Sequence, residues 1–216
     1  RAAGLGLAPT APDPDRYEYM HAHCDVLVAG AGPSGISAAL AAARRGARVI
    51  LLDEQARVGG SALHLPGAID EVAGPEWVAS AIAELEAMPD VPVLARTTAL
   101  GLYERNFVIA GERCTDHLPL AKRTGVRERL WRIRPREVIL ATGAIERPLV
   151  FANNDLPGVM QADAVLEYVR RYAVRPGGNA LVFTNNDSAY ATACELHSAG
   201  ARVRIVDARQ SAGEAA

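Results

Sequence analysis

One six-residue stretch constrains this chain more than any other. Gly30-Ala31-Gly32-Pro33-Ser34-Gly35 follows a short apolar run at residues 25–30. It opens an Ala-rich segment, residues 34–45, in which Ile36 and Leu40 share one helix face. Gly46 ends that helix in the manner of a left-handed C-terminal cap. Residues 47–53, Ala-Arg-Val-Ile-Leu-Leu-Asp, read as a second strand. Strand, helix and strand within about 30 residues predict a right-handed βαβ crossover. A G-x-G-x-x-G loop at that junction gives each glycine a steric task. Gly30 permits the tight turn, Gly32 lets a ligand approach the backbone, and Gly35 lets the helix pack on the strand. The helix start then presents free N–H groups and roughly half a positive charge to an anion.

Further along, residues 76–88 read as a helix and residues 92–111 as short strand pieces of a β-meander. Residues 129–133 and 137–142 read as two more strands, the last ending in Ala141-Thr142-Gly143, and residues 161–174 as a helix. The chain also repeats itself. Shifted by 154 residues, the first βαβ unit falls on residues 179–208 without a gap. Gly46-Ala47-Arg48-Val49 then lands on Gly200-Ala201-Arg202-Val203, and Asp53 on Asp207. The fold expected is α/β, a Rossmann-like FAD/NAD(P)-binding fold of the two-dinucleotide-domain type. It carries a β-meander and an inserted second, degenerate Rossmann unit. The expected organisation is a linker over residues 1–22, the first dinucleotide-binding domain in part over 23–150, and the incomplete second unit over 151–216. The opening on Arg1 and the prolines at 9, 12 and 14 read as part of a larger polypeptide.

The chemistry concentrates on the first loop. Asp53 ends the second strand 18 residues beyond Gly35, where a carboxylate accepts hydrogen bonds from ribose hydroxyls. It would repel a 2′-phosphate by ~1–4 kcal/mol at about 4 Å in a wet site, which argues against NADP. Pro33 and Ser34 share the loop with the glycines. Glu54 and Gln55 stand within reach of the adenosine or else form a solvated strand end. Gly59-Gly60-Ser61 either closes over the ribose and pyrophosphate or is a plain turn. Thr142 and Gly143 end a strand where such folds bring the chain back past the cofactor. Ala99, in the meander, offers backbone groups to an adenine edge. The fingerprint alone fits FAD or NAD⁺ equally. In the repeat, Thr184, Asn186 and Ala189 replace the three glycines. Asn186 then puts a side chain where a pyrophosphate should approach, so the second unit reads as structural.

Other chemistry is not signalled. A formal net charge of −2 gives no electrostatic footprint for nucleic acid or a membrane surface. The longest apolar run, residues 36–43, is too short to span a bilayer. Three separated cysteines without a C-x-x-C pair fit a reducing cytoplasm and give no disulfide-reductase centre. No metal-ligand spacing and no nucleophile with a base are present, and His64 and His117 read as solvated loop residues.

Several segments together resemble the α subunit of heterotetrameric sarcosine oxidase. They are His23-Cys24-Asp25-Val26-Leu27-Val28 with the glycine loop, and Leu52-Asp53-Glu54-Gln55 with Gly59-Gly60. Then come Ala141-Thr142-Gly143-Ala144-Ile145-Glu146-Arg147-Pro148, residues 151–160 (FANNDLPGVM), and Thr184-Asn185-Asn186-Asp187-Ser188. The Glu-Arg-Pro and Asn-Asn-Asp stretches discriminate best. The resemblance implies a complex of α, β, γ and δ subunits that oxidatively demethylates sarcosine to glycine. That complex makes hydrogen peroxide and uses tetrahydrofolate as one-carbon acceptor. It implies amine oxidation in another subunit, NAD⁺ in the first Rossmann site, and Ser34, Asp53, Glu54, Gln55 and Ser61 as NAD⁺ contacts. No catalytic residue is expected in this stretch. Two other readings stay open: an FAD-dependent opine or D-amino-acid dehydrogenase subunit, and a docking scaffold without ligand.

Overall fold

A computed structural model describes residues 10–210. The first strand, β1 (Arg16–Ala29), leads through the glycine loop into α1 (Pro33–Ala43) and returns as β2 (Val49–Leu52). A 3-10 turn at Gly60–Leu63 precedes the small hairpin β3 (Ala68–Ile69) and β4 (Val72–Ala73), then α2 (Gly74–Glu86). β5 (Val93–Leu94), β6 (Thr97–Tyr103), β7 (Phe107–Arg113) and β8 (Val126–Leu140) complete the main sheet. α3 (Ala162–Tyr172), β9 (Asn179–Thr184), α4 (Ser188–Ser198) and β10 (Arg202–Asp207) follow.

The main sheet has the order β5-β2-β1-β8-β7-β6. β5, β2, β1 and β8 run parallel, and β8, β7 and β6 antiparallel. A parallel sheet needs cover on both faces. One face is closed by α1 and α2, which bury Val28, Ile36, Val49, Leu51, Val78 and Leu85. The meander closes the other, with Val108, Ala110 and Ile133 against Leu27, Ala29, Ile50 and Leu52. β6 begins back at the end of β2, where the Thr97 N–H donates to the Asp53 carbonyl at 2.7 Å. β9 and β10 form their own parallel pair, carrying α4. This is the Rossmann-like α/β fold with meander and second βαβ unit that the sequence predicts.

Two expectations are corrected. The linker expected over residues 1–22 runs into β1, because residues 16–22 pair with β8 along its first half. Residues 1–9 of that linker lie outside the described residues. The two strands expected at 129–133 and 137–142 are one, β8. The reason is a change of inward face at Asp25: the N–H groups of Asp25 and Val26 both donate to the Arg48 carbonyl, while β1 and β8 keep one pairing offset on either side of Asp25. On its near side Ala22 and Cys24 face the second cluster, and on its far side Leu27 and Ala29 do. β8 shifts its inward residues in step, from Trp131 and Ile133 to Val138. Pro135 lies just past the last β7 pairing, at Ile133, where one side of the ladder is free. Asp25 also receives the Arg48 guanidinium at 3.1 Å and its backbone N–H at 3.0 Å. These bonds hold the carboxyl down at about 2.

Candidate dinucleotide site

The glycine loop is shaped by its neighbours. Gly30 has φ +102, and a Cβ there would run into the Ala141 carbonyl as well. Gly35 packs so closely that a Cβ would strike the Gly30 carbonyl. Gly32 differs: it is extended, and the nearest atom to a Cβ there is the Gly60 Cα at 4.0 Å. Its outer face is therefore open. α1 starts at Pro33 with no side-chain cap. The Gly32 carbonyl accepts from Ile36 N at 2.9 Å, so the N–H groups of Ser34 and Gly35 point out of the helix start without intrahelical partners. Ser34 is exposed and Pro33 half-buried.

The second glycine pair comes to the first. Gly59 N–H donates to the Ala31 carbonyl at 2.8 Å. Gly60 has φ +50, and a Cβ there would lie 2.9 Å from the Gly32 Cα. Only glycine fits this back-to-back approach. Ser61 follows in the same turn, half-buried.

Asp53 closes the other side. Its Oδ2 accepts from Ala31 N–H at 2.7 Å and its Oδ1 from Gln55 N–H at 2.8 Å. It makes no ion pair among the described residues, so its remaining lone pairs are available to hydroxyl donors. Glu54 and Gln55 are exposed beside it. Ala141 N–H donates to the Ala29 carbonyl, which sets Thr142 and Gly143 at the loop, both exposed. Gly30, Gly32, Pro33, Ser34, Gly35, Asp53, Gly60, Ser61, Thr142 and Gly143 thus converge at the carboxyl ends of the interior strands β1, β2 and β8. Ala99 lies further along β6, exposed, in register with Ala110.

Three residues around these strand ends carry no signal in the sequence pattern. Thr97, fully buried, is the meander residue that meets the strand end of Asp53. Arg113, at the end of β7, donates to the Glu54 carbonyl at 2.7 Å. His64 is not a solvated loop residue: it is 7 % exposed, and its Nε2 lies 2.9 Å from Asp163 Oδ1. Among the described residues no cluster of three His, Cys, Asp or Glu side chains is placed to hold a metal. No helix among them is long and apolar enough to cross a membrane.

The repeat follows the same backbone path with different chemistry. None of residues 184–189 takes a positive φ. Asn186 Oδ1 accepts from Ser188 N–H at 3.0 Å and from Ser188 Oγ at 2.6 Å. A side-chain oxygen thus occupies the α4 start. Asp207, the counterpart of Asp53, is bound by Arg209 at 2.7 Å and by the Tyr190 hydroxyl at 3.0 Å. The Arg209 bonds hold its carboxyl well below the usual range. Arg209 also reaches Asp187 at 2.6 Å.

These residues fit the ADP half of a dinucleotide: an open glycine face, a helix start with free donors, and a carboxylate opposite. A family model described as FAD dependent oxidoreductase matches residues 25–85. The chain is 51 % identical over 214 residues to sarcosine oxidase subunit alpha of Rhizobium meliloti (strain 1021). It is 48 % identical over 215 residues to the subunit of that name from Corynebacterium sp. (strain P-1). Both matches cover 99 % of this chain and 22 % of the relative, so the chain spans about a fifth of the relatives' length. Among solved structures, L-proline dehydrogenase from P. horikoshii superposes with a TM-score of 0.70 and 25 % identity, over 88 % of this chain and 36 % of that one. The chain has a Rossmann-like α/β fold and is similar over nearly all its length to one segment of sarcosine oxidase subunit alpha.

Proposed function

We propose that this chain is the NAD⁺-binding portion of the α subunit of a cytoplasmic, heterotetrameric sarcosine oxidase. The observation that carries the reading is the pairing of Gly60 with Gly32 beneath an uncapped helix start, with Asp53 across from it. The glycines and the N–H groups of Ser34 and Gly35 hold the pyrophosphate. Asp53 receives the ribose hydroxyls, with Glu54, Gln55 and Ser61 at the rim. Ala99 and Thr142-Gly143 border the adenosine and the return of the chain. NAD⁺ supplies hydride-accepting chemistry in general, but no acid, base or nucleophile is assigned beside this site. The bound nucleotide is read as structural or regulatory. Sarcosine demethylation to glycine, with peroxide formation and tetrahydrofolate as acceptor, is assigned to the complex with its β, γ and δ subunits. The amine oxidation itself is placed in another subunit.

The FAD dependent oxidoreductase match over residues 25–85 favours a second reading, in which the same cradle holds FAD in an opine or D-amino-acid dehydrogenase subunit. Both nucleotides share the ADP half, so the cradle accepts either. The deciding experiment is to separate this subunit from the intact complex under native conditions, then denature it and identify the nucleotide it releases. NAD⁺ is expected. Flavin absorbance retained by the separated chain would overturn the NAD⁺ assignment. Calorimetry with no NAD⁺ binding, and no effect of Asp53→Ala, would favour a scaffold that only docks partners.

A further inference from the structure

Asp163, in the first turn of α3, is tied to both flanks of the glycine cradle. Its Oδ1 lies 2.9 Å from Nε2 of His64, which directly follows the Gly60–Leu63 turn. Its backbone N–H donates to Glu146 Oε2 at 2.9 Å. Glu146 stands three residues beyond Gly143, and its carbonyl accepts from Gln161 Nε2 at 2.6 Å. One residue of the helix that leads into the second βαβ unit thus meets the Gly59-Gly60 loop through a side chain and the Thr142-Gly143 strand end through a backbone N–H.

The energetics favour a held contact. A buried imidazole without a partner loses the hydrogen bonds it makes in water. His64 has one side-chain partner, Asp163, and its Nδ1 is buried without any among the described residues. The turn that carries His64 is a single 3-10 turn, whose own hydrogen bonds are poor, so external ties set its position. One tie is Gly59 N–H to Ala31. A second is His64 to Asp163, beside the packing of Ala62 and Leu63 against α2. Asp163 itself is about half exposed, at 49 %, so truncating it opens no cavity.

We infer that Asp163 is a positioning residue: through His64 it sets how closely Gly60 sits on Gly32, and through Glu146 it ties that setting to the Thr142-Gly143 strand end. The helix that leads into the second βαβ unit, α3, thereby fixes the geometry of the first unit's cradle. The effect on ligand affinity rests on the dinucleotide reading above, whereas the effect on the loop does not.

The test is hydrogen exchange on the full chain, with NAD⁺ titrated as the probe. Asp163→Ala should speed exchange at residues 59–64 by about tenfold or more, with α2 unchanged, and weaken NAD⁺ binding by about tenfold. Asp163→Asn keeps an oxygen that accepts from His64 and should restore both. His64→Phe keeps the ring volume without the bond and should match Asp163→Ala. Wild-type exchange at residues 59–64 in Asp163→Ala would overturn the positioning role. So would equal acceleration in Asp163→Asn. If the wild type takes no NAD⁺, the NAD⁺ assignment fails, and the exchange rates still decide the role of Asp163.

Discussion

The chain follows one βαβ path twice, at β1-α1-β2 and at β9-α4-β10, and the two units differ in what faces the helix start. Both have a parallel strand pair, and both end the helix on a left-handed glycine, Gly46 at φ +81 and Gly200 at φ +84. In the first unit the α1 start is bare, and Asp53 binds only backbone N–H groups. In the second, Asn186 occupies the helix start and Arg209 occupies the carboxylate of Asp207. The same donors and acceptors that are left open in one unit are satisfied internally in the other. A Rossmann path is therefore not by itself a nucleotide site. The site is made by leaving polar groups unsatisfied, which a chain does only where a ligand or water completes them.

The sharpest way to break this comparison is Gly32→Val. The position is extended and sterically open, so the domain should melt within a few degrees of wild type. NAD⁺ affinity should fall by about 100-fold, roughly 3 kcal/mol, as read by calorimetry. Unchanged affinity would move the site away from the glycine loop. Asp53→Ala should cost about 10- to 100-fold in affinity, the range expected for lost charge-assisted hydrogen bonds. Asp207→Ala, its counterpart, should leave NAD⁺ affinity as it was. A matching loss in both would erase the distinction between the units.

A smaller effect is expected from Asn186→Gly. It frees the α4 start but leaves Arg209 on Asp207, so binding stoichiometry should remain one nucleotide per chain. Loss of the Asn186 contacts at the helix start should lower the stability of the second unit by about 1 kcal/mol, measured by denaturant titration with a probe in that unit. A second equivalent of NAD⁺ would show that Asn186 alone closes the repeat.

The smallest effect concerns the cysteines. Cys24 on β1 is buried against the meander, and burial pushes its thiol up to about 11, whereas Cys194 on α4 is exposed. A thiol reagent at neutral pH should label Cys194 promptly and Cys24 only as fast as the domain opens. Because the folded thiol titrates above its unfolded value of 9.0, its contribution is fully present below pH 9 and is lost as pH rises toward 11. A Cys24→Ala chain should therefore lose less stability than wild type between those values in alkaline unfolding curves. Prompt labelling of native Cys24 would show that the meander does not seal this face.

Much of the first unit was legible because its signals are local. Three glycines, an Ala-rich helix and an acid at the strand end lie within 24 residues, from Gly30 to Asp53. The repeat was legible for the same reason. The meander residue that meets the Asp53 strand end, Thr97, carried no such signal. Alternation in β1 and β8 changes face together at Asp25, with their pairing offset unchanged. A change of inward face part-way along makes one long strand read as two short ones or as a linker. His64 was misread as solvated because its partner, Asp163, lies 99 residues away.

By itself the sequence determined the two βαβ paths, the single intact glycine loop and the acid opposite it, because turn chemistry and hydrophobic period act over a few residues. Only the tertiary structure decided that Gly60 rests on Gly32, that Arg209 closes Asp207, and that Asp163 joins the two flanks of the cradle. The first and last of these are contacts between segments far apart in the chain, set by how sheet, helices and turns pack. The second lies between near neighbours, yet it depends on a side-chain rotamer and on Asp187 and Tyr190 brought alongside by the fold. Neither kind of contact leaves a mark in spacing or composition.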